Sequence, residues 1–418
     1  MNHAAFTAAT VKRLPALDLI RGVAVLGILA INIAGFAGPL AGTISPALTA
    51  SGTPYSSAWD NAAFAFSLVL FEGKMRALFS MLFGAGLVLF WESLEARGDN
   101  GDVLQLRRLS WLLLFGLLHY LLLWWGDILF VYALCGIAAL MLRPLSDRRL
   151  IATALLLYYG WHLWGLFDLV PLVHAETAVR LGRASAEQAA HVHQWLEAAR
   201  AGIVEDLAEA HYGYARLLVT KLSDRPFWLF HMTRHIFSET LPLILIGMVM
   251  VRRGFFDPTA HPRHLRAAAI ACTAGGLGLS LAFTLWAEPR GFPPIAMEAA
   301  LSWGLAMPHL LGGYGYAALL VLVTPYLAAR PIGRRLRAAG RMAFSNYIAT
   351  SLIMTTVFYG WGLGQFGRFG PALQGPFVLL GWGLMLGWSA PVLRHFRRGP
   401  LEWIWRCLVE KRWLSNRF

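Results

Sequence analysis

Apolar runs of roughly 18 to 25 residues recur along this chain, and a helix rising 1.5 Å per residue needs about that length to cross a bilayer core. They lie at Leu17–Leu40, Leu78–Leu94, Leu109–Trp124, Ile128–Leu142, Ile151–Leu172, Phe237–Val251, Ala267–Leu285, Leu301–Leu327, Met342–Leu363 and Phe377–Val392. A few are short for a full span. With 57% hydrophobic and only 14% charged residues among 418, the solvent for most of the surface must be lipid. The expected fold is all-α: a polytopic transmembrane helix bundle of about ten spans.

Orientation follows from the basic residues, which are retained on the cytoplasmic side of span ends. If Lys12 and Arg13 are inside, the even-numbered loops carry Arg97, Arg107 and Arg108, then Arg143, Arg148 and Arg149, then Arg252, Arg253, Arg263 and Arg266, then Arg330, Arg334, Arg335, Arg337 and Arg341. The first and ninth loops hold only Lys74, Arg76 and Arg368, and the third holds none. This predicts a bacterial inner-membrane protein with both termini cytoplasmic. The same asymmetry absorbs the net charge of +13. The partners it implies are anionic membrane lipids, not nucleic acid. Cys135, Cys272 and Cys407 have neither disulfide nor zinc spacing. Lys12 and Arg13 run straight into a long span, as in an uncleaved signal anchor.

Two stretches interrupt the hairpin pattern. Thr43 to Arg76 contains the apolar segment Ala62–Phe71, expected to form a short interfacial or re-entrant helix after the first span. His174 to Arg225 is mixed in charge with helical periodicity, and reads as extracytoplasmic helices. The chain thus divides into an amino-terminal membrane half (1–172), a helical linker (173–225) and a carboxy-terminal membrane half (226–418). Neither half shows an internal repeat.

Charged groups inside spans are costly, so they face the bundle interior and find partners there. Asp18 and Arg21 sit one turn apart at the start of the first span. Asn32, fourteen residues after Asp18, lies about 21 Å further along and within roughly 40° of the same face. Glu72, Lys74 and Arg76 precede Ser80 and the small residues Gly84 and Gly86, which allow close helix approach. His119 is in mid-span, and Asp127 follows a turn at Trp124-Trp125-Gly126; a carboxylate-paired imidazole would be a general base. His231, Arg234, His235 and Glu239 share one side of a helix, but two histidines and one carboxylate beside an arginine suit a polar, substrate-facing surface better than a metal. No metal site is expected. Gly-rich nucleotide loops, nucleophile elbows and zinc-protease motifs are absent, so any catalysis must be assembled across helices.

The motifs Leu17-Asp18-Leu19-Ile20-Arg21-Gly22, Phe79 to Gly86, Trp125-Gly126-Asp127-Ile128-Leu129, Gly247-Met248 through Arg253-Gly254, Gly340 to Tyr347 and Gly399-Pro400-Leu401-Glu402-Trp403 together resemble the YeiB family of bacterial membrane proteins. The amino-terminal half is also similar to heparan-α-glucosaminide N-acetyltransferases, which move an acetyl group from cytosolic acetyl-CoA to an amino sugar across a membrane. Asp18, Arg21, Gly22 and Asn32 carry that likeness, and Asn32 matches an active-site asparagine. The family's catalytic histidine has no counterpart, because Gly38 to Asp60 contains none. His119, or a carboxylate such as Asp60 or Glu72, would have to replace it.

The resemblance implies an acyltransferase taking acyl-CoA (acetyl-CoA) as donor and an amino or hydroxyl acceptor on an extracytoplasmic glycan, lipid or small molecule. Asn32, His119 and Asp127 are the candidate catalytic residues. Asp18, Arg21, Glu72, Lys74, Arg76, Ser80 and Asn346 are the candidate substrate- or cofactor-binding residues. A homodimer is expected by the same resemblance. The alternative is a transporter or exporter of a small or amphipathic solute, which would use the same intramembrane polar groups for binding and proton coupling.

Overall fold

The computed structural model describes residues 14–48 and 57–418, with the side chain of His235 excepted. Lys12 and Arg13, on which the proposed orientation leans, lie outside it. The first helices are α1 (Pro15–Ala37), α2 (Leu40–Ile44), α3 (Ala58–Leu70), α4 (Lys74–Glu95), α5 (Gly101–Leu122) and α6 (Leu129–Leu142). Then come α7 (Asp147–Arg180), α8 (Ala186–Ala210), α9 (Tyr214–Ser223), α10 (Trp228–Arg252) and α11 (Pro262–Ala287). The last are α12 (Pro294–Ala299), α13 (Ala306–Ala328), α14 (Pro331–Arg341), α15 (Ala343–Phe358), α16 (Pro371–His395) and α17 (Pro400–Glu410).

The protein is an all-helical membrane bundle, and no strand occurs among the described residues. Among the described residues, six helical segments are long and apolar enough to cross a membrane: α1, α3 with α4 (Ala58–Glu95), α7, α11 with its short extension (Pro262–Arg290), α13 and α16. A seventh would be α10, whose two parts, Trp228–Arg234 and Ile236–Arg252, meet at 52°. Shorter apolar helices are α6 and α15. Each of the ten apolar runs coincides with a helix. Large side chains on these helices stay exposed, including Leu156, Trp164, Phe167, Ile270 and Tyr326, as lipid contact demands.

The expected helix after the first span is α3. It begins at a capping box in which the Ser57 hydroxyl accepts from the Asp60 N–H and the Asp60 carboxylate accepts from the Ser57 N–H. It breaks from α4 at Phe71–Gly73, where Gly73 takes φ = 66°. The two sequence halves interleave: α4 packs on α10 and α13, and α1 on α14, α15 and α16. The sequence boundary at residue 172 falls within α7, which runs unbroken to Arg180.

Two close approaches fix the packing. A Cβ at Gly84 would lie 2.0 Å from the Ile244 carbonyl oxygen, and one at Gly247 would lie 1.9 Å from that of Met81, so α4 and α10 touch backbone to backbone. Gly86, read from sequence as part of the same contact, faces open space. At one end of the bundle α1 meets α14 the same way, a Cβ at Gly340 coming 1.9 Å from the Asp18 carbonyl oxygen. We call this the proximal end, where α1 begins; α1 finishes at the distal end. The helices α8 and α9 cap the distal end, where the Asp206 carboxylate accepts from Leu40 N–H and the Tyr214 hydroxyl donates to the Leu122 carbonyl.

Candidate functional site

At the distal end a cavity of about 990 Å³ opens between α1, α3, α4, α6, α10 and α16. Its wall carries Asn32, Glu72, Arg76, Asp127, Tyr132, His231, Glu239, Glu298, Ser302, Arg368 and Gln374, set among Trp124, Trp125, Trp228 and Trp382.

The turn between α5 and α6 builds the most organised part of that wall. The Asp127 Oδ2 accepts from the Phe130 N–H at 2.8 Å, capping the first turn of α6 and fixing the carboxylate. Its Oδ1 lies 2.8 Å from the Nδ1 of His119, and both side chains are 0% exposed. Where the carboxylate accepts, Nδ1 is the donor, and Nε2 is the other ring nitrogen. That Nε2 is buried without a hydrogen-bond partner among the described residues. Tyr347 packs against the ring at 4.9 Å between centroids. Asp127 itself lines the cavity and His119 sits behind it. Sequence alone separated the two by eight residues and a turn of unknown path.

The second part is an ion network. Arg76 on α4 donates from Nε to Glu239 Oε2 at 3.0 Å, and its Nη1 lies 3.7 Å from Glu72 Oε1. One guanidinium thus answers two carboxylates and ties α4 to α10. Ser80 reaches the network indirectly. Its hydroxyl donates to the Arg76 carbonyl at 2.8 Å and lies 2.6 Å from the Tyr132 hydroxyl, which lines the cavity.

Asn32 lines the cavity from α1, and its amide makes no hydrogen bond among the described residues. The remaining candidates lie elsewhere. Lys74 is fully buried and turns back to donate to the carbonyls of Leu68 and Glu72 at 3.2 and 3.3 Å, closing the end of α3. Asp18 and Arg21 approach to 3.5 Å at the proximal end, remote from the cavity wall. Asn346 donates to the Ala339 carbonyl and the Ser389 hydroxyl and accepts from Trp388 Nε1, so it fastens α15 to α16. Asp60 is committed to the α3 cap and to the Ala372 N–H.

Of the polar face on α10, His231 and Glu239 reach the cavity and Arg234 is exposed. Among the described residues no group of three or more His, Cys, Asp or Glu is placed to hold a metal. Sequence reasoning passed over Tyr132, Glu298, Ser302, Arg368, Gln374 and Trp382. A signal existed for Glu298, a carboxylate in an apolar stretch, but nothing local pointed to the others.

The carboxy-terminal residues 250–412 match the model of a family described as a protein of unknown function, DUF418. The chain is 32% identical to an uncharacterized protein YeiB of Escherichia coli (strain K12), over 94% of this chain and 95% of the relative. It belongs to the YeiB family. A second member-like relative, an uncharacterized protein YxaH of Bacillus subtilis (strain 168), is 28% identical over 97% of this chain and 96% of its own. A third, an uncharacterized 39.9 kDa protein in the amylase 3' region of Bacillus acidopullulyticus, is 27% identical over 96% and 95%. No solved structure matches significantly. In this YeiB-family chain the motifs Gly340 to Tyr347 and Gly399 to Trp403 converge at the proximal end. Glu402 accepts there from the Phe344 and Ser345 N–H groups at 2.8 and 3.0 Å, and from the Ser345 hydroxyl.

Proposed function

We propose that the chain is an integral membrane acyltransferase of the bacterial inner membrane, with ten spans and both termini cytoplasmic. It would move an acyl group from cytosolic acyl-CoA to an amino or hydroxyl acceptor held in the distal cavity, on the extracytoplasmic side. The observation that carries this reading is Asp127 in the wall of a cavity that Asn32 also lines, its carboxylate held by His119 buried behind it. A carboxylate that faces the cavity and is fixed by a buried imidazole has the form of a positioned general base.

In the reaction, the acceptor nitrogen or oxygen attacks the thioester carbonyl while the Asp127 carboxylate, which faces the cavity and is held by His119 behind it, takes its proton. The Asn32 amide donates to the oxyanion that develops. The new C–N or C–O bond forms, the C–S bond breaks, and the departing thiolate recovers the proton from the Asp127 carboxyl. Asp127 would then stand in for the missing histidine of the first distal loop, since Asp60 is bound up in a helix cap.

The test is transfer of radiolabelled acetyl from acetyl-CoA by protein in nanodiscs. Asp127→Asn should lower turnover roughly 10²–10⁴-fold while the protein stays folded. Asn32→Ala should behave alike. Absence of both acyl-CoA binding and transfer in the folded wild type would end this reading.

A second reading, transport, draws on the helix breaks that meet the cavity. They are Phe71–Gly73 beside Glu72, the 52° bend of α10 between His231 and Glu239, and the π-helical turn Ala300–Gly304 that holds Ser302. Broken helices at a polar intramembrane site are a transporter feature. Solute flux into proteoliposomes without acyl-CoA would favour it.

A further inference from the structure

The cavity wall is unbalanced in charge. Asp127, Glu72, Glu239 and Glu298 face only two guanidinium groups, Arg76 and Arg368. Arg76 is shared between two of the carboxylates, and Asp127 already holds His119. Glu239 is 9% exposed, yet its Oε1 has no hydrogen-bond partner among the described residues. A carboxylate oxygen left buried and unanswered is costly, and a bound donor would recover that cost. Glu298 receives one hydrogen bond, from the Ser302 hydroxyl at 3.0 Å, and keeps acceptor capacity. Between these carboxylates the wall is aromatic, with Trp125, Trp228 and Trp382 presenting surfaces that hold an apolar body and favour a cation over their faces.

We infer that the cavity selects an organic amine, its ammonium group set against Glu239 and Glu298 and its apolar or aromatic body lying along the tryptophans. The identification of this amine as the acyl acceptor rests on the acyltransferase reading; its binding does not. As acceptor it would bind as ammonium, lose one proton to Glu239 or Glu298 to free its lone pair, and lose the second to Asp127 as the C–N bond forms.

Three probes with one apolar body separate the inference from the reaction: 4-phenylbutylamine, 4-phenylbutanol and 4-phenylbutanoate. Binding to the whole protein in nanodiscs is followed by equilibrium dialysis without acyl-CoA. The amine should bind at least about tenfold tighter than the alcohol, the carboxylate more weakly still, and Glu239→Gln should remove most of the difference. Because Glu239→Gln also loosens Arg76, Glu298→Gln is the second variant; it leaves the α4–α10 bridge intact and should weaken the amine severalfold. Equal binding of amine and alcohol, or amine binding indifferent to both substitutions, overturns the inference. Selective amine binding with neither acyl-CoA binding nor acetyl transfer would sustain it while removing the acyltransferase reading. Transfer to the alcohol with no preference for the amine would do the reverse.

Discussion

The two ends of the bundle use buried polar groups in opposite ways. At the proximal end Glu402 accepts three hydrogen bonds at the start of α15, and Asn346 joins α15 to α16. Glycines let α1 and α14 meet at backbone distance there. At the distal end α4 and α10 are bridged across a cavity, and His119 Nε2 and Glu239 Oε1 are left without partners among the described residues. A polar group in a membrane helix either fastens a neighbour or waits for a ligand, and the sequence alone does not say which. Asn32 and Asn346 are both asparagines in apolar helices of family motifs. One lines a cavity and the other is a bolt.

The largest expected effect tests the proximal end as a fastening. Gly340→Val would drive its Cβ into the Asp18 carbonyl, against backbone that cannot give way. It should cost more than about 3 kcal/mol and leave little monodisperse protein after extraction. Gly86→Val, on the same kind of residue facing open space, should leave yield and melting temperature close to wild type. Similar behaviour of the two would break the claim that close approach at this junction holds the bundle.

Next comes the distal end. His119→Ala and Asp127→Asn should both abolish most acyl transfer, by roughly 10²–10⁴-fold, while shifting thermal stability far less than Gly340→Val. The double variant should be little worse than either single one, because the pair acts as a unit. Additive losses would show two independent groups and weaken the case for a base that the two side chains form together.

Glu402→Gln sharpens the contrast from the other side. It keeps one acceptor oxygen but loses the charge that answers three donors at the start of α15, so it should lower stability by about 1–3 kcal/mol. Amine binding and transfer, measured below the melting temperature, should be unchanged. A loss of affinity in the folded variant would mean that the two ends are coupled.

Much of this division was open to a reader of the sequence. The apolar runs found the helices, because a bilayer forces backbone pairing within each segment. The Asp18–Arg21 pair and the α3 helix were visible in local spacing. His119 and Asp127 were named, but their contact depends on the path of Leu123–Ile128, which periodicity does not encode. Lys74 and Arg76 looked alike, being two residues apart. Only the break at Gly73 turns the first back to cap α3 and sends the second to Glu239. The cavity itself joins residues more than 300 positions apart, such as Asn32 and Trp382, and no local signal reports such a meeting.

The smallest effect probes the cap over the distal end. Lys221 on α9 is buried and donates to the carbonyls of Tyr120 and Leu121 at 2.8 and 3.4 Å. Burial lowers its pKa to about 8, against the opposing pull of Glu209, whereas the unfolded chain keeps the ordinary value of 10.5. Below pH 8 both states are charged and folding bears the whole cost of burying the ammonium. Between pH 8 and 10.5 the unfolded state holds more protons, so this group's contribution to stability improves as pH rises through the window. Lys221→Met has no such titration. The stability of wild type relative to Lys221→Met should therefore increase by on the order of 2 kcal/mol between pH 8 and pH 10. Melting temperatures of the two proteins across that range measure it. A constant difference would mean that Lys221 stays charged in the fold. The cap would then carry a satisfied ion, like the proximal end, in place of a buried amine held by carbonyls alone.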